Sequence, residues 1–133
     1  MKMKVVIVDD EPEVLTMAAK MVKKNFSEYE VAPFGKPEGA LDYSADILLT
    51  DYNLHASMTG LDLIKKYKAN SPKTHCILMS GGEDTEEAKK YAAEFGIDFL
   101  HKPFAMEELV GMLKGETRKP VGVNYGSNIG SQA

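Results

Sequence analysis

Apolar residues in this chain fall into short unbroken runs that alternate with longer stretches of helical spacing. Val5, Val6, Ile7 and Val8 form the first run, and four consecutive β-branched residues suit a central parallel strand covered on both faces. Glu11, Pro12 and Glu13 then open a helix, with acids and proline in the first turn where the dipole and the missing donors favour them. Val14, Leu15, Ala18, Met21, Val22 and Phe26 follow at helical spacing. Residues 29–34 alternate weakly and predict a strand nearer an edge. Gly35 turns the chain, and Pro37 starts a short helix through Leu41 and Tyr43. A third strand is predicted at 47–50 and a loop at 51–59. Residues 60–69 form a helix that buries Leu61, Leu63, Ile64 and Tyr67, and Asn70-Ser71-Pro72 breaks it. A fourth strand spans 74–79. The helix at 83–95 is acidic at its start and ends at Gly96. A fifth strand at 97–100 and a last helix at 105–114 complete the pattern. Five strands alternating with five helical segments indicate a doubly wound α/β fold with a parallel sheet.

A length of 133 residues allows one well-buried core, which occupies residues 1–114. Residues 115–133 carry four glycines and few large apolar side chains, so they read as a flexible tail or the start of a linker. A net charge of -4 argues against sequence-independent binding to nucleic acid. No apolar stretch approaches the length of a membrane span, the start of the chain leaves no room for a signal peptide, and the single Cys76 has no partner for a disulfide. A cytoplasmic protein is therefore expected.

Polar islands close four of the strand runs: Asp9-Asp10, Asp51, Ser80 and Lys102-Pro103. In an open parallel sheet, ligand sites form just beyond the carboxyl ends of the strands. If these strands are neighbours, three carboxylates, a hydroxyl and an ammonium meet in one crevice. Like charges about 4 Å apart repel by roughly 4 kcal/mol at an effective dielectric near 20, so such a cluster wants a counter-ion or a proton. All-oxygen ligands favour Mg²⁺ or Mn²⁺ over zinc. Each island alone has a plainer reading: a helix N-cap for Asp9-Asp10, a turn aspartate for Asp51, a solvated Lys102, an ordinary turn at Ser80-Gly81-Gly82. Their common placement favours the joint one. An ionised aspartate beside Mg²⁺ is a nucleophile for phosphoryl transfer, and Lys102 and Ser80 can stabilise the transferring oxygens. Pro103 is a candidate cis-proline.

At this point the chain resembles the receiver domain of two-component response regulators. The resemblance covers about residues 4–114 and rests on Val8-Asp9-Asp10-Glu11-Pro12, on Asp51 after an apolar strand, on Met79-Ser80-Gly81, and on Phe99-Leu100-His101-Lys102-Pro103-Phe104. It implies a flavodoxin-like, CheY-like sheet with strand order 2-1-3-4-5. It also implies that Asp51 is the phosphoacceptor, that Asp10 and Asp51 ligate Mg²⁺ with Asp9 acting through water and Asn53 through its carbonyl, and that Ser80 and Lys102 bind the phosphoryl oxygens. Ser80 and Phe99 would form the switch, although Phe99 also reads as a plain core residue. The implied partner is a sensor histidine kinase or a histidine phosphotransfer protein. The implied output is the face of helix four, strand five and helix five, where phosphorylation could drive homodimerisation. Such a domain is not a turnover enzyme; it catalyses only its own phosphorylation and dephosphorylation.

The chain departs from the family in two places. The loop after Asp51 lacks the usual Met/Leu-Pro pair and is one residue longer, and its His55 reads as an exposed loop histidine. Position 82 is a glycine, which implies a more open phosphoryl site. Among rivals, a Mg²⁺-dependent aspartyl-phosphate phosphohydrolase would want a second acid and a capping element. A flavodoxin-like redox module would set the acids against the flavin phosphate, and a degenerate receiver would lack part of the acid, serine and lysine set.

Overall fold

A computed structural model describes residues 2–115; the tail expected at 115–133 lies, beyond Gly115, outside the described residues. The chain alternates β1 (Lys4–Val8), α1 (Pro12–Asn25), β2 (Glu30–Phe34), α2 (Pro37–Ala40), β3 (Ile47–Asp51), α3 (Gly60–Asn70), β4 (His75–Ser80), α4 (Thr85–Phe95), β5 (Asp98–His101) and α5 (Met106–Leu113). The strands make one parallel sheet in the order β2-β1-β3-β4-β5. Fold class and strand order agree with the sequence reading.

The period-two geometry of a strand divides its apolar residues between two cores. Val5, Ile7, Ile47, Leu49, Ile77, Met79 and Leu100 face α1 and α5 and meet Ala18, Val22, Leu109 and Leu113. Val6, Val8, Leu48 and Leu78 face the other way, onto Leu61, Leu63, Ile64, Tyr67 and Ala88. That is why β1, β3 and β4 read as unbroken apolar runs: both of their faces are covered. Leu49 is fully buried, and Leu49→Ala should cost about 2–5 kcal/mol. Among the described residues, no helix is long and apolar enough to cross a membrane.

Local chemistry sets the helix ends. Pro12 opens α1, while Lys23 and Lys24 lie in its last turn. Thr59 and Asp62 form a reciprocal capping box at α3, which satisfies two otherwise orphaned donors. Gly96 ends α4 at φ 66. Two boundaries differ from expectation by more than one residue. The helix expected at 83–95 starts at Thr85, because Gly82 takes φ 80 and a 3-10 turn spans Gly82–Asp84. Helix α2 stops at Ala40 instead of continuing to Tyr43.

Candidate functional site

Parallel pairing brings the polar islands together. Val8 of β1 pairs with Thr50 of β3, so Asp9 and Asp51, the next residues on each, leave the sheet side by side. Carboxylate oxygens of Asp9, Asp10 and Asp51 all lie within 4.8 Å of one another, a group that could hold a metal ion. Ser80 ends β4 and is buried, and its carbonyl accepts the N–H of Lys102 at 2.8 Å. From just past β5 the Lys102 ammonium reaches Asp9 Oδ2 at 3.1 Å, Asp51 Oδ1 at 3.3 Å and Glu11 Oε1 at 3.0 Å. The Lys102–Pro103 peptide bond is cis. A crevice of about 430 Å³ opens over this group, lined by Asp10, Asp51, Asn53, Ser80 and Lys102 among others.

Two glycines make the approach possible. A Cβ at Gly60 would sit 2.0 Å from the carbonyl oxygen of Asp51, and one at Gly81 would sit 2.8 Å from that of Lys102. No other residue fits at Gly60 without moving the backbone of the central acid. At Gly82 the space for a Cβ is open.

The charges are unevenly matched, with one ammonium facing three carboxyl groups and Asp10 beside them. Burial, then the neighbouring Asp9, push the carboxyl of Asp51 up to about 7, against the pull of Lys102. Burial likewise raises Asp9, although the N–H of Glu11 and the Lys102 charge oppose the rise. Burial works against the charge on Lys102, but the hydrogen bond to Glu11 and the charges of Asp51 and Asp9 hold its ammonium above the ordinary lysine range. One oxygen of Asp10, Oδ1, is buried with no hydrogen-bond partner. A buried carboxylate oxygen left unpaired is costly. Together with an all-oxygen donor set, it suits a hard divalent cation.

Asp9, Asp10, Asp51, Ser80 and Lys102 thus converge. Asn53 lines the crevice, and its side chain is committed elsewhere: Nδ2 donates to Asp84 Oδ2 at 2.9 Å, and Oδ1 accepts the N–H of His55 at 3.0 Å. Asp9, expected to act through water, is fully buried and directly engaged by Lys102 and by the N–H of Glu11. Phe99 sits outside the crevice, paired in register with Leu78 and packed with Tyr91 against the α3–α4 core.

Sequence reasoning missed four contacts. Glu11 is a third carboxylate on Lys102, with Asp9 and Asp51, and its place beside Asp9-Asp10 was the only signal. His55, read as a plain loop residue, is exposed, yet its Nδ1 lies 2.7 Å from Asp10 Oδ2. The Tyr52 hydroxyl donates to Glu87 of α4; burial and that bond raise the phenol above its ordinary range. With Asn53–Asp84, it ties the two residues after Asp51 to the start of α4.

The family described as "Response regulator receiver domain" matches residues 5–114. The chain is 25% identical over 119 residues to a probable transcriptional regulatory protein, TcrX, of Mycobacterium tuberculosis, covering 86% of this chain and 50% of that protein. It is 26% identical over 123 residues to the cell cycle response regulator CtrA of Brucella ovis, covering 90% and 52%. The chain therefore spans about half the length of these relatives. The fold matches the BeF3-activated DrrB receiver domain with a TM-score of 0.75 at 24% identity, covering 90% of this chain and 100% of that one. It also matches a CheY-like receiver domain protein of Methanospirillum hungatei with a TM-score of 0.73 at 21% identity, covering 87% and 94%.

Proposed function

Because this chain belongs to the response regulator receiver domains of two-component systems, we propose that it accepts a phosphoryl group on Asp51 in a cation-dependent reaction. The observation that carries this reading is the Asp9, Asp10, Asp51 cluster with Lys102 bridging Asp9 and Asp51. The donor would be a phosphohistidine of a sensor kinase or phosphotransfer protein. A carboxylate oxygen of Asp51 forms the new P–O bond as the donor's P–N bond breaks, and the departing imidazole takes a proton. An attacking carboxylate needs no general base, but it must be ionised, and burial opposes that. Asp10 and Asp51, with the carbonyl of Asn53, would hold Mg²⁺, and Asp9, engaged by Lys102, would add its charge to the site. The bound cation supplies charge neutralisation on Asp51 and on the phosphoryl oxygens. Lys102 offers its ammonium to a second phosphoryl oxygen, and Ser80 its hydroxyl to a third. Hydrolysis of the acyl phosphate resets the domain, so the chain catalyses only its own phosphorylation and dephosphorylation.

The output we assign to the face of α4, β5 and α5. Tyr52–Glu87 and Asn53–Asp84 link the residues after Asp51 to α4, Phe99 and Tyr91 of that helix pack against the same core, and Phe95 at its end is exposed. Ser80 moving toward the phosphoryl group would free space for Phe99 and shift this face. Whether the partner there is a second copy or another protein follows from the same experiment. Mass spectrometry after acetyl phosphate and Mg²⁺ should show one added phosphoryl group, absent in Asp51→Asn. Beryllofluoride should change self-association or partner affinity in the wild type alone. Steady turnover of phosphate esters would favour a phosphohydrolase instead.

A further inference from the structure

We propose that His55 is a positioning residue for the cation site: its imidazole holds Asp10 by one carboxylate oxygen and leaves the other free for the metal. This rests on the reading that the crevice binds a divalent cation, and it concerns the loop in which the chain departs from its family.

His55 has φ 50, a left-handed conformation that is uncommon outside glycine and persists only where contacts hold it. Two contacts hold it. The N–H of His55 donates to Asn53 Oδ1 at 3.0 Å, an Asx-type turn, and the intervening Leu54 is buried in the α3 core. A proline, with φ locked near -65°, could not make this turn. Losing the family's Met/Leu-Pro pair is what allows the chain to fold back over Asp10.

Nδ1 of His55 lies 2.7 Å from Oδ2 of Asp10 although the imidazole is 72% exposed. An ionised carboxylate only accepts, so Nδ1 carries the hydrogen. The other Asp10 oxygen, Oδ1, is the buried one without a partner. One oxygen is anchored and one is free, and His55 sets the rotation of the carboxylate between them. Hydrogen bonds of this kind to a ligating group typically change metal affinity 10–100-fold, and the exposure of His55 places the effect at the lower end. The same anchoring ties Asn53, the carbonyl ligand, to Asp10 through one short loop. His55 thereby makes two of the cation's ligands a single unit.

The rival account is that His55 is a stand-in counter-ion which any cation displaces. The two accounts predict opposite signs. Mg²⁺ and Mn²⁺ affinities of the full chain would be measured by calorimetry. If His55 positions Asp10, His55→Ala binds Mg²⁺ about tenfold more weakly, and His55→Gln, whose amide can donate to the same oxygen, stays within about threefold of wild type. Metal-free thermal unfolding of both variants should match wild type, and ¹⁵N NMR should show the Nδ1–H tautomer of His55 retained at Mg²⁺ saturation. Equal or tighter binding by His55→Ala, or an imidazole released on saturation, overturns the proposal and leaves the cation site standing. Should His55→Ala fold poorly, the His55→Gln affinity and the NMR signal decide alone. A wild type that binds no Mg²⁺, or an Asp10→Asn variant that binds it equally well, overturns both readings.

Discussion

At the amino ends of the strands polar groups find their partners within the chain, whereas at the carboxyl ends they compete. Below the sheet the Thr74 hydroxyl donates to the carbonyl of Ala45 at 2.8 Å, His75 meets Asp98 at 2.7 Å, and Asp46 accepts the N–H of Lys4 at 2.7 Å. Above it Asp9, Asp51 and Glu11 share one ammonium, and Asp10 keeps a buried oxygen without a partner. The hydroxyl of Thr85, on the segment that follows β4, is orphaned as well. Matched polar groups hold a structure together. Mismatched ones, kept at the cost of stability, mark where a charge from outside completes the set.

Four substitutions or conditions would break or sharpen that contrast. The largest effect should come from Gly60→Ala, because the added Cβ would fall 2.0 Å from a backbone oxygen of Asp51. A loss of about 3 kcal/mol or more in urea unfolding is expected, along with loss of phosphoryl uptake; a loss under about 1 kcal/mol would show that the close approach is not required. Next is Asp51→Asn in EDTA. If the upper end is frustrated, removing this charge above about pH 7, where the carboxyl is ionised, should stabilise the metal-free protein by about 1–3 kcal/mol, against the usual direction for a buried substitution. Destabilisation there would erase the distinction between the two ends.

The third effect is a pH slope of definite sign. Asp51 titrates at about 7 in the folded protein against an ordinary 3.8, so between those values the folded state holds a proton that the unfolded state has released. Stability contributed by this group is present below about pH 4 and is lost as pH rises through about 7. Metal-free wild type should therefore lose stability across that window, and Asp51→Asn should lose less of it. Unfolding curves in EDTA at several pH values test this, and a slope identical in the two proteins would count against it. The smallest effect belongs to the lower end. Thr74→Val removes a matched hydrogen bond and should cost about 1 kcal/mol while leaving Mg²⁺ affinity unchanged.

Most of the upper end was legible in the chain. Val5 to Val8, Ile47 to Thr50 and Cys76 to Met79 are apolar runs too short for helices, and the residue type changes abruptly where each run ends. Once those runs are parallel neighbours, Asp9, Asp51, Ser80 and Lys102 have to converge. Helix ends were less legible. Acids at 83, 84, 86 and 87 suit a helix start anywhere in that stretch, and the positive φ of Gly82 selects Thr85.

By itself, then, the sequence determined the order of elements, the two-sided burial of the central strands and the identity of the carboxylate cluster, because hydrophobic period and strand length are local properties. Tertiary structure alone decided that Glu11 shares Lys102, that Tyr52 reaches Glu87, that Gly60 lies on the carbonyl of Asp51, and that His55 folds back onto Asp10. Those contacts depend on where a loop or a long side chain ends up after the sheet has formed. No periodicity records it, since the positive φ of His55 exists only while Leu54 is buried and Asn53 accepts its N–H.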